Sequence, residues 1–352
     1  MKAILLAGGQ GTRLRPLTLN TPKPVVPIFG RPFLHYQIDR ILQLPEIDEV
    51  ILSLNYQPER IEAVFGDGSS LGVRIRYVVE PIPLGTAGGI KFASRGVDET
   101  VVVFNGDVLT EIDLAAVVAH HRERRALATI VLTPVDNPMA YGLVETDGAG
   151  NVSRFVEKPD PSQITTNLIN AGIYVLEPRT FDRIPDDVPW SIERKYFPSL
   201  VERGETFAAY VYGGYWIDIG TPAKYTQVHR DILDGRFDAA PFADLSTDRV
   251  VVSPDVQMGS GVTIRGPVFV DRDVTVADGV TIGPRAVVGR GCRIGANTTI
   301  EESILWPGCS VGPGSTVTGA VLGHSCAIGA SVSVGAGTLL GDGSSATDFS
   351  TL

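Results

Sequence analysis

Three groups of residues in this 352-residue chain have the type and spacing to handle phosphate esters. The first is Gly8-Gly9-Gln10-Gly11-Thr12-Arg13-Leu14-Arg15, followed by Lys23 between Pro22 and Pro24. Glycines after an apolar run let backbone N–H groups approach a polyphosphate closely. Arg13 adds a planar, permanently charged fork, and the flanking prolines limit the backbone freedom of Lys23. The string is not a Walker loop, because Gly11 is followed by Thr12-Arg13. It is not a dinucleotide fingerprint either, because Leu14 stands where the third glycine belongs. The second consists of two separate aspartates, which nothing in the sequence itself shows to meet. Asp107 follows the apolar run 101–104, and Asp218 is boxed between Ile217 and Ile219. Hard carboxylate oxygens of this kind suit Mg²⁺ that is shared with substrate phosphates. The third is Glu157-Lys158 ahead of Pro159, an acceptor beside a cation. Of five histidines, His35, His120, His121 and His229 fall in predicted helices and suit structural rather than catalytic roles.

Strands and helices must alternate to hold these groups. Segments 2–7, 49–55, 73–79, 100–104 and 128–133 are short Val/Ile/Leu-rich runs that read as buried strands. Segments 33–44, 58–65, 87–94 and 114–125 have helical spacing, with Asp113 placed to cap the last. The alternation predicts a Rossmann-like, mostly parallel, doubly wound α/β sheet with ligands at the carboxyl ends of its strands. After about residue 249 the period changes. A small or branched residue recurs every six positions from Val256 through Val262, Val268, Val274, Val280, Ala286, Cys292 and Thr298 to Ile304. This hexapeptide repeat predicts a parallel β-helix. Cys292, Cys309 and Cys326 are 17 apart. That predicts one inward column of thiols, with one-residue deletions near Trp306 and Pro307 and near Ser325. The boundaries expected are a catalytic domain over 1–235, a linker over 236–249, the β-helix over 250–342 and a polar tail over 343–352.

Composition narrows the partners. A net charge of −10 opposes binding to nucleic acid or an anionic membrane. No run of about eighteen apolar residues is present, and residues 1–7 are too short for a signal-peptide core. Three cysteines without a C-x-x-C pair indicate neither a disulfide framework nor a zinc site, so a reduced cytoplasm is expected.

The run from Gly8 to Lys23 resembles the signature of the sugar-1-phosphate nucleotidyltransferases. Further strings carry the same resemblance: Glu80 to Gly88, Asn105-Gly106-Asp107-Val108, Tyr141-Gly142, Phe155 to Pro159, Asn170 to Tyr174, Ser191-Ile192-Glu193 and Tyr215 to Pro222. Within that family the strings look most like mannose-1-phosphate guanylyltransferases, which carry a C-terminal left-handed β-helix. The stretch 66–74 and Leu168 leave glucose-1-phosphate thymidylyltransferase and heptose-1-phosphate guanylyltransferase as alternatives. A non-catalytic nucleotide-sugar sensor subunit and a hexapeptide acyltransferase are the rivals from other classes.

The resemblance implies attack of a sugar 1-phosphate on the α-phosphorus of a nucleoside triphosphate, GTP by this reading, with Mg²⁺ as cofactor. It implies catalytic roles for Arg13, Lys23, Asp107 and Asp218, the two aspartates holding the metal. Nucleotide binding falls to Leu6, Ala7, Gly8, Gly9, Gly11, Thr12, Arg13, Glu80, Gly85, Thr86, Gly88 and Asn105. Glu80 would accept from guanine, while Gly85 and Gly88 would let the backbone approach the base. Gly142, Glu157, Lys158 and Asn170 would bind the sugar phosphate, here mannose 1-phosphate. A β-helix whose ends and faces need cover also leads us to expect a homo-oligomer.

Overall fold

The computed structural model describes residues 1–242 and 249–352. It divides into two compact units, one of Met1–Gln10 with Leu34–Asp218 and the other of Gly11–Phe33 with Ile219–Leu352. This differs from the boundary expected at residue 235. The segment 11–33 and the helix that follows Asp218 belong with the β-helix.

The sheet of the first unit starts from four strands, whose apolar residues are mostly buried in all but the one that ends at the exposed Val79. They are β1 (Lys2–Leu6), β2 (Glu49–Leu54), β3 (Arg74–Val79) and β4 (Val101–Asn105). All four run parallel in the order β4-β1-β2-β3. A short strand β5 (Val108–Thr110) follows β4. Then come β6 (Ala128–Pro134), β7 (Gly142–Thr146), β8 (Val152–Glu157), β9 (Leu168–Leu176), β10 (Phe207–Val211) and β11 (Trp216–Asp218). The expectation of a mostly parallel sheet needs qualifying here, because β9 runs antiparallel to β4, β6 and β7. Among the described residues the sheet is nine-stranded and mixed. Helices α1 (Phe33–Ile41), α2 (Pro58–Phe65), α3 (Gly85–Ala93) and α4 (Leu114–Glu123) connect its strands. Asp113 caps α4 as expected, its carboxylate accepting from Ala115 and Ala116 N–H. Register aligns Leu6 with both Ser53 and Asn105, so β1, β2 and β4 present their carboxyl ends along one edge.

In the second unit, α6 (Pro222–Leu233), the successor of α5 (Phe197–Glu202), leads toward the repeats. Of the expected linker 236–249, residues 243–248 lie outside the described residues. The repeats form a parallel β-helix of three sheets, one strand per face per coil. Its core holds Val274, Val280, Ala286, Val288, Cys292 and Ile300. The three thiols lie in one column as expected, each donating to a carbonyl of the following coil, and all are buried. The neighbouring Cys292 pushes the Cys309 thiol up to about 12, which leaves it inert at neutral pH.

Two expectations about this part need correction. The shortened coils do not lose their residues near Trp306 and Ser325. Thr281 pairs with Thr299, but on the next face Val287 already pairs with Ile304, which puts the first lost residue between Thr299 and Ile304. The same comparison puts the second between Thr316 and Val321, where the spacing shortens again. Glu302 (φ 49°) and Gly319 (φ 63°) tighten these corners in left-handed conformations. The segment 343–352 is not a polar tail either. Ser345–Ala346 pairs with Ala327–Ile328, and Thr351 bridges Ser333, so the coil continues. Among the described residues no helix is long and apolar enough to cross a membrane.

Candidate active site

Where β1, β2 and β4 end, backbones pack closely enough to leave no room for a side chain at some loop positions. Ala7 N–H donates to Ser53 O (2.9 Å) and Gly106 N–H to Leu6 O (2.9 Å). A Cβ on Gly106 would sit 2.3 Å from Leu6 O, and one on Gly8 would sit 3.1 Å from Asn55 N. Gly9 has open space beside it. At the end of β4, Asn105 packs over Gly172, and its buried Oδ1 has no partner among the described residues. A buried orphan acceptor at a sheet's ligand edge suits a bound donor.

Asp107 and Asp218 are brought together by strand pairing. β5 and β11 run antiparallel with Asp218 opposite Val108, so the backbones of Asp107 and Asp218 stand one residue apart across the ladder. Gln37 Nε2 donates to Asn105 O and Val108 O, both at 2.8 Å, which fixes the turn that carries Asp107. Trp216 anchors β11 by donating from Nε1 to Ala171 O (2.8 Å). Tyr141 donates its hydroxyl to Asp218 Oδ1 (2.9 Å) and packs edge-on against Trp216. Among the described residues no group of three or more His, Cys, Asp or Glu could hold a metal alone. Two aspartates on neighbouring ladder positions suit Mg²⁺, which keeps waters and takes substrate phosphate oxygens to fill its shell.

The expected sugar-phosphate residues gather on β7, β8 and β9. Gly142 pairs with Glu157. A Cβ on Gly142 would lie 2.6 Å from the Phe155 ring and 3.0 Å from Glu157 Oε2. The glycine is thus required by its own neighbours. Burial, with a smaller contribution from Glu193, raises the Glu157 carboxyl above the usual carboxylate range. Lys158 is exposed and holds φ 52°, its N–H bonded to Tyr141 O at 3.0 Å. Asn170 sits in a bulge of β9, donating to Tyr174 Oη (2.9 Å) and accepting from Gly172 N–H (2.9 Å). One amide proton and one lone pair remain for a ligand.

The expected base-reading residues surround the start of α3. Glu80 accepts from Ser53 Oγ on one oxygen and from Leu84 N–H on the other, both at 2.8 Å. Gly85 (φ 69°) and Gly88 do permit a close backbone approach, but to the chain itself. Their Cβ positions lie 3.0 Å from Trp190 O and Val188 O respectively. Thr86 donates to Glu193 Oε2 (3.0 Å) and accepts from Ile192 N–H (2.8 Å). Gly11, Thr12, Arg13 and Lys23 belong to the second unit, and their assignment to the triphosphate rests on their motif. There Gly11 takes φ 62° where a Cβ would meet Thr18 and Lys23 at 3.1–3.2 Å, and Thr18 Oγ1 donates to Gly11 O (2.7 Å). Lys23 is buried and Arg13 exposed.

Sequence reasoning missed Gln37, Tyr174 and Trp216 as positioning residues. It also gave no role to the Tyr141 hydroxyl, although Tyr141 precedes Gly142 in a string already singled out. The histidines behave as expected. His121 Nδ1 is 2.8 Å from Thr129 Oγ1, and burial lowers His229 to about 4, so neither is poised as a base.

Known proteins resemble the chain over both parts. Residues 248–350 match the family described as EIF2B subunit epsilon LbH domain, a left-handed β-helix. Mannose-1-phosphate guanylyltransferase of Mycobacterium tuberculosis is 40% identical over 306 residues, covering 86% of this chain and 79% of that one. UTP–glucose-1-phosphate uridylyltransferase of Synechocystis is 33% identical over 327 residues, covering 87% and 83%. The crystal structure of HddC from Yersinia pseudotuberculosis superposes with a TM-score of 0.55 at 32% identity, covering 64% of this chain and 96% of that one. A second crystal structure of HddC holds GMP-PN. Residues 2–235, with every string that carries the site, match the family described as Nucleotidyl transferase, and the chain belongs to that family of enzymes.

Proposed function

We propose that this enzyme transfers a guanylyl group from GTP to mannose 1-phosphate, giving GDP-mannose and pyrophosphate. The observation that carries the reading is the β5–β11 register, in which Asp218 pairs with Val108, the residue after Asp107. The mannose and guanine assignments draw on the guanylyltransferases among the relatives and on Glu80.

A phosphate monoester has its second pKa near 6, so the sugar phosphate arrives ionised at neutral pH. The chain therefore needs no base, and its work is to hold two anions in line. Lys158 binds the phosphate of the sugar, while Glu157 and Asn170 accept from and donate to its hydroxyls. Arg13 and Lys23 bind the triphosphate, with the Gly8–Gly11 backbone along it. Asp107 and Asp218 hold Mg²⁺, which when bound supplies positive charge against the charge that builds on the phosphates. Tyr141 keeps Asp218 oriented. Glu80 keeps an accepting site on each oxygen beyond its bonds to Ser53 and Leu84, enough to take guanine N1–H and N2–H₂ together. On this reading the enzyme works in the cytoplasm, the compartment that keeps its three thiols reduced, and the β-helix supplies the surface for a homo-oligomer.

Pyrophosphate release is the test, with GTP, dTTP, UTP, CTP and ATP each offered mannose, glucose and heptose 1-phosphates. The highest kcat/KM should fall on GTP with mannose 1-phosphate. Preference for dTTP or UTP with glucose 1-phosphate would overturn the base and the sugar together, and no release with any pair would overturn catalysis.

A further inference from the structure

One edge of the β-helix is built into the segment that carries Arg13 and Lys23. The turns concerned follow the same face of every second coil, after Val268–Val270, Ile304–Leu305 and Leu339–Leu340. In the first, the Asp271 carboxylate lies 2.7 Å from the Cβ position of Gly30, while Phe29 meets Phe269 edge-on at 5.4 Å. In the second, Trp306 donates from Nε1 to Tyr225 Oη (2.8 Å), and that hydroxyl donates on to Pro27 O. Trp306 and Tyr225 are both buried. In the third, Gly341 lies so near Pro16 that a Cβ would stand 3.1 Å from it. Beside it, Asp342 accepts from His324 N–H with Oδ1 (2.9 Å) and from Thr21 Oγ1 with Oδ2 (3.0 Å). Thr21 is 7% exposed and lies two residues before Lys23.

We propose that Asp342 and Thr21 form a clasp by which the last coils of the β-helix set the conformation of the Arg13–Lys23 segment for the triphosphate. The proposal rests on the assignment of Arg13 and Lys23 made above. Thr21 and Asp342 are positioning residues, since neither is placed on a substrate. The clasp carries a charge-assisted hydrogen bond in a part-buried site, which is strong enough to matter. Pro16 against Gly341 closes the other side, so a loop that local glycines would leave loose is held at both ends of its turn. A β-helix that only assembled copies of the chain would have no need to bond this loop.

The test uses the full-length protein with Thr21→Val, Thr21→Ser and Asp342→Ala, and reads hydrogen exchange over residues 11–25 together with both Michaelis constants. Thr21→Val and Asp342→Ala should each speed exchange in that segment and raise KM for the triphosphate about tenfold, the loss of one charge-assisted bond. KM for the sugar phosphate should stay within about twofold, and Thr21→Ser should restore both readouts because it keeps the donor. Unchanged exchange in Thr21→Val and Asp342→Ala overturns the clasp. Faster exchange with an unchanged KM for the triphosphate also overturns it, because the loop would then be held for another purpose. Lys23→Ala in the same assay separates the underlying reading: if it spares triphosphate use, the assignment of the segment is what failed.

Discussion

Removing one oxygen atom, in Tyr141→Phe, probes the metal site without touching a carboxylate. The hydroxyl donates to Asp218 Oδ1 at 2.9 Å, and both residues are half-buried. A hydrogen bond to a charged acceptor contributes about 1.5–3 kcal/mol, and partial exposure argues for the lower end. At about 1.4 kcal/mol per factor of ten, turnover at limiting Mg²⁺ should fall about tenfold. Saturating Mg²⁺ should recover most of the loss, since the charge of Asp218 remains. Asp218→Asn or Asp107→Asn removes that charge and should cost on the order of 10²-fold or more at any Mg²⁺ concentration. The decisive variant is the double mutant. If Tyr141 acts only by orienting Asp218, adding Tyr141→Phe to Asp218→Asn should cost less than about twofold further. Pyrophosphate release across a Mg²⁺ titration reads all four proteins, with urea midpoints to confirm that each is folded. A double mutant that loses the product of the two single effects would refute the orienting role. Near-normal turnover in Asp107→Asn or Asp218→Asn would refute the metal site itself.

Lys158→Ala should chiefly raise KM for the sugar phosphate, whereas Lys23→Ala should harm triphosphate use and kcat; a loss on the same substrate in both would show that the two lysines are misassigned. Glu80→Gln should lower the GTP-over-dTTP ratio of kcat/KM by roughly tenfold to a hundredfold, and a mutant keeping the full ratio would remove Glu80 as the base reader. His229 is buried and neutral in the fold, with its pKa lowered from 6.5 to about 4. The unfolded chain therefore binds the extra proton first, and stability present above pH 6.5 is lost as pH falls toward 4, by about 3 kcal/mol. Urea unfolding of the parent and of His229→Gln at pH 7 and pH 4 measures this: the mutant should lose less, and equal losses would mean that His229 contributes nothing to acid sensitivity.

What could be read in the sequence follows the range of the interactions involved. Period-six spacing repeats its message in every coil, so the β-helix and the thiol column were legible. The places where two coils lose a residue were not. Thiols 17 apart fix only that one residue is missing per coil, and the corners at Glu302 and Gly319 are selected by backbone conformation. Asp107 and Asp218 each stood out locally, but their meeting depends on β5 pairing with a strand formed more than a hundred residues later. Nothing near Gln37 marks it as the residue that fixes the Asp107 turn, because a buried glutamine on a helix looks like any polar position until the facing turn is present. The antiparallel β9 was hidden for a related reason. Its apolar run suits either direction, and only its pairing with β4, β6 and β7 shows which one it takes.

The glycines show how far a motif can mislead about cause. Gly85, Gly88 and Gly142 were assigned to ligands, yet each is already demanded by the chain's own backbone or by an aromatic ring. Such positions can still line a site, but a Gly→Ala loss there would report packing as much as binding. Gly9 is the contrasting case, since nothing in the protein fills the space beside it. A glycine with room for a methyl group and no left-handed φ has no structural reason to be glycine. The need must then come from what binds there, and a polyphosphate drawn close to backbone N–H groups is such a need. Gly9 is accordingly a sounder pointer to the nucleotide than the glycines that the fold itself requires.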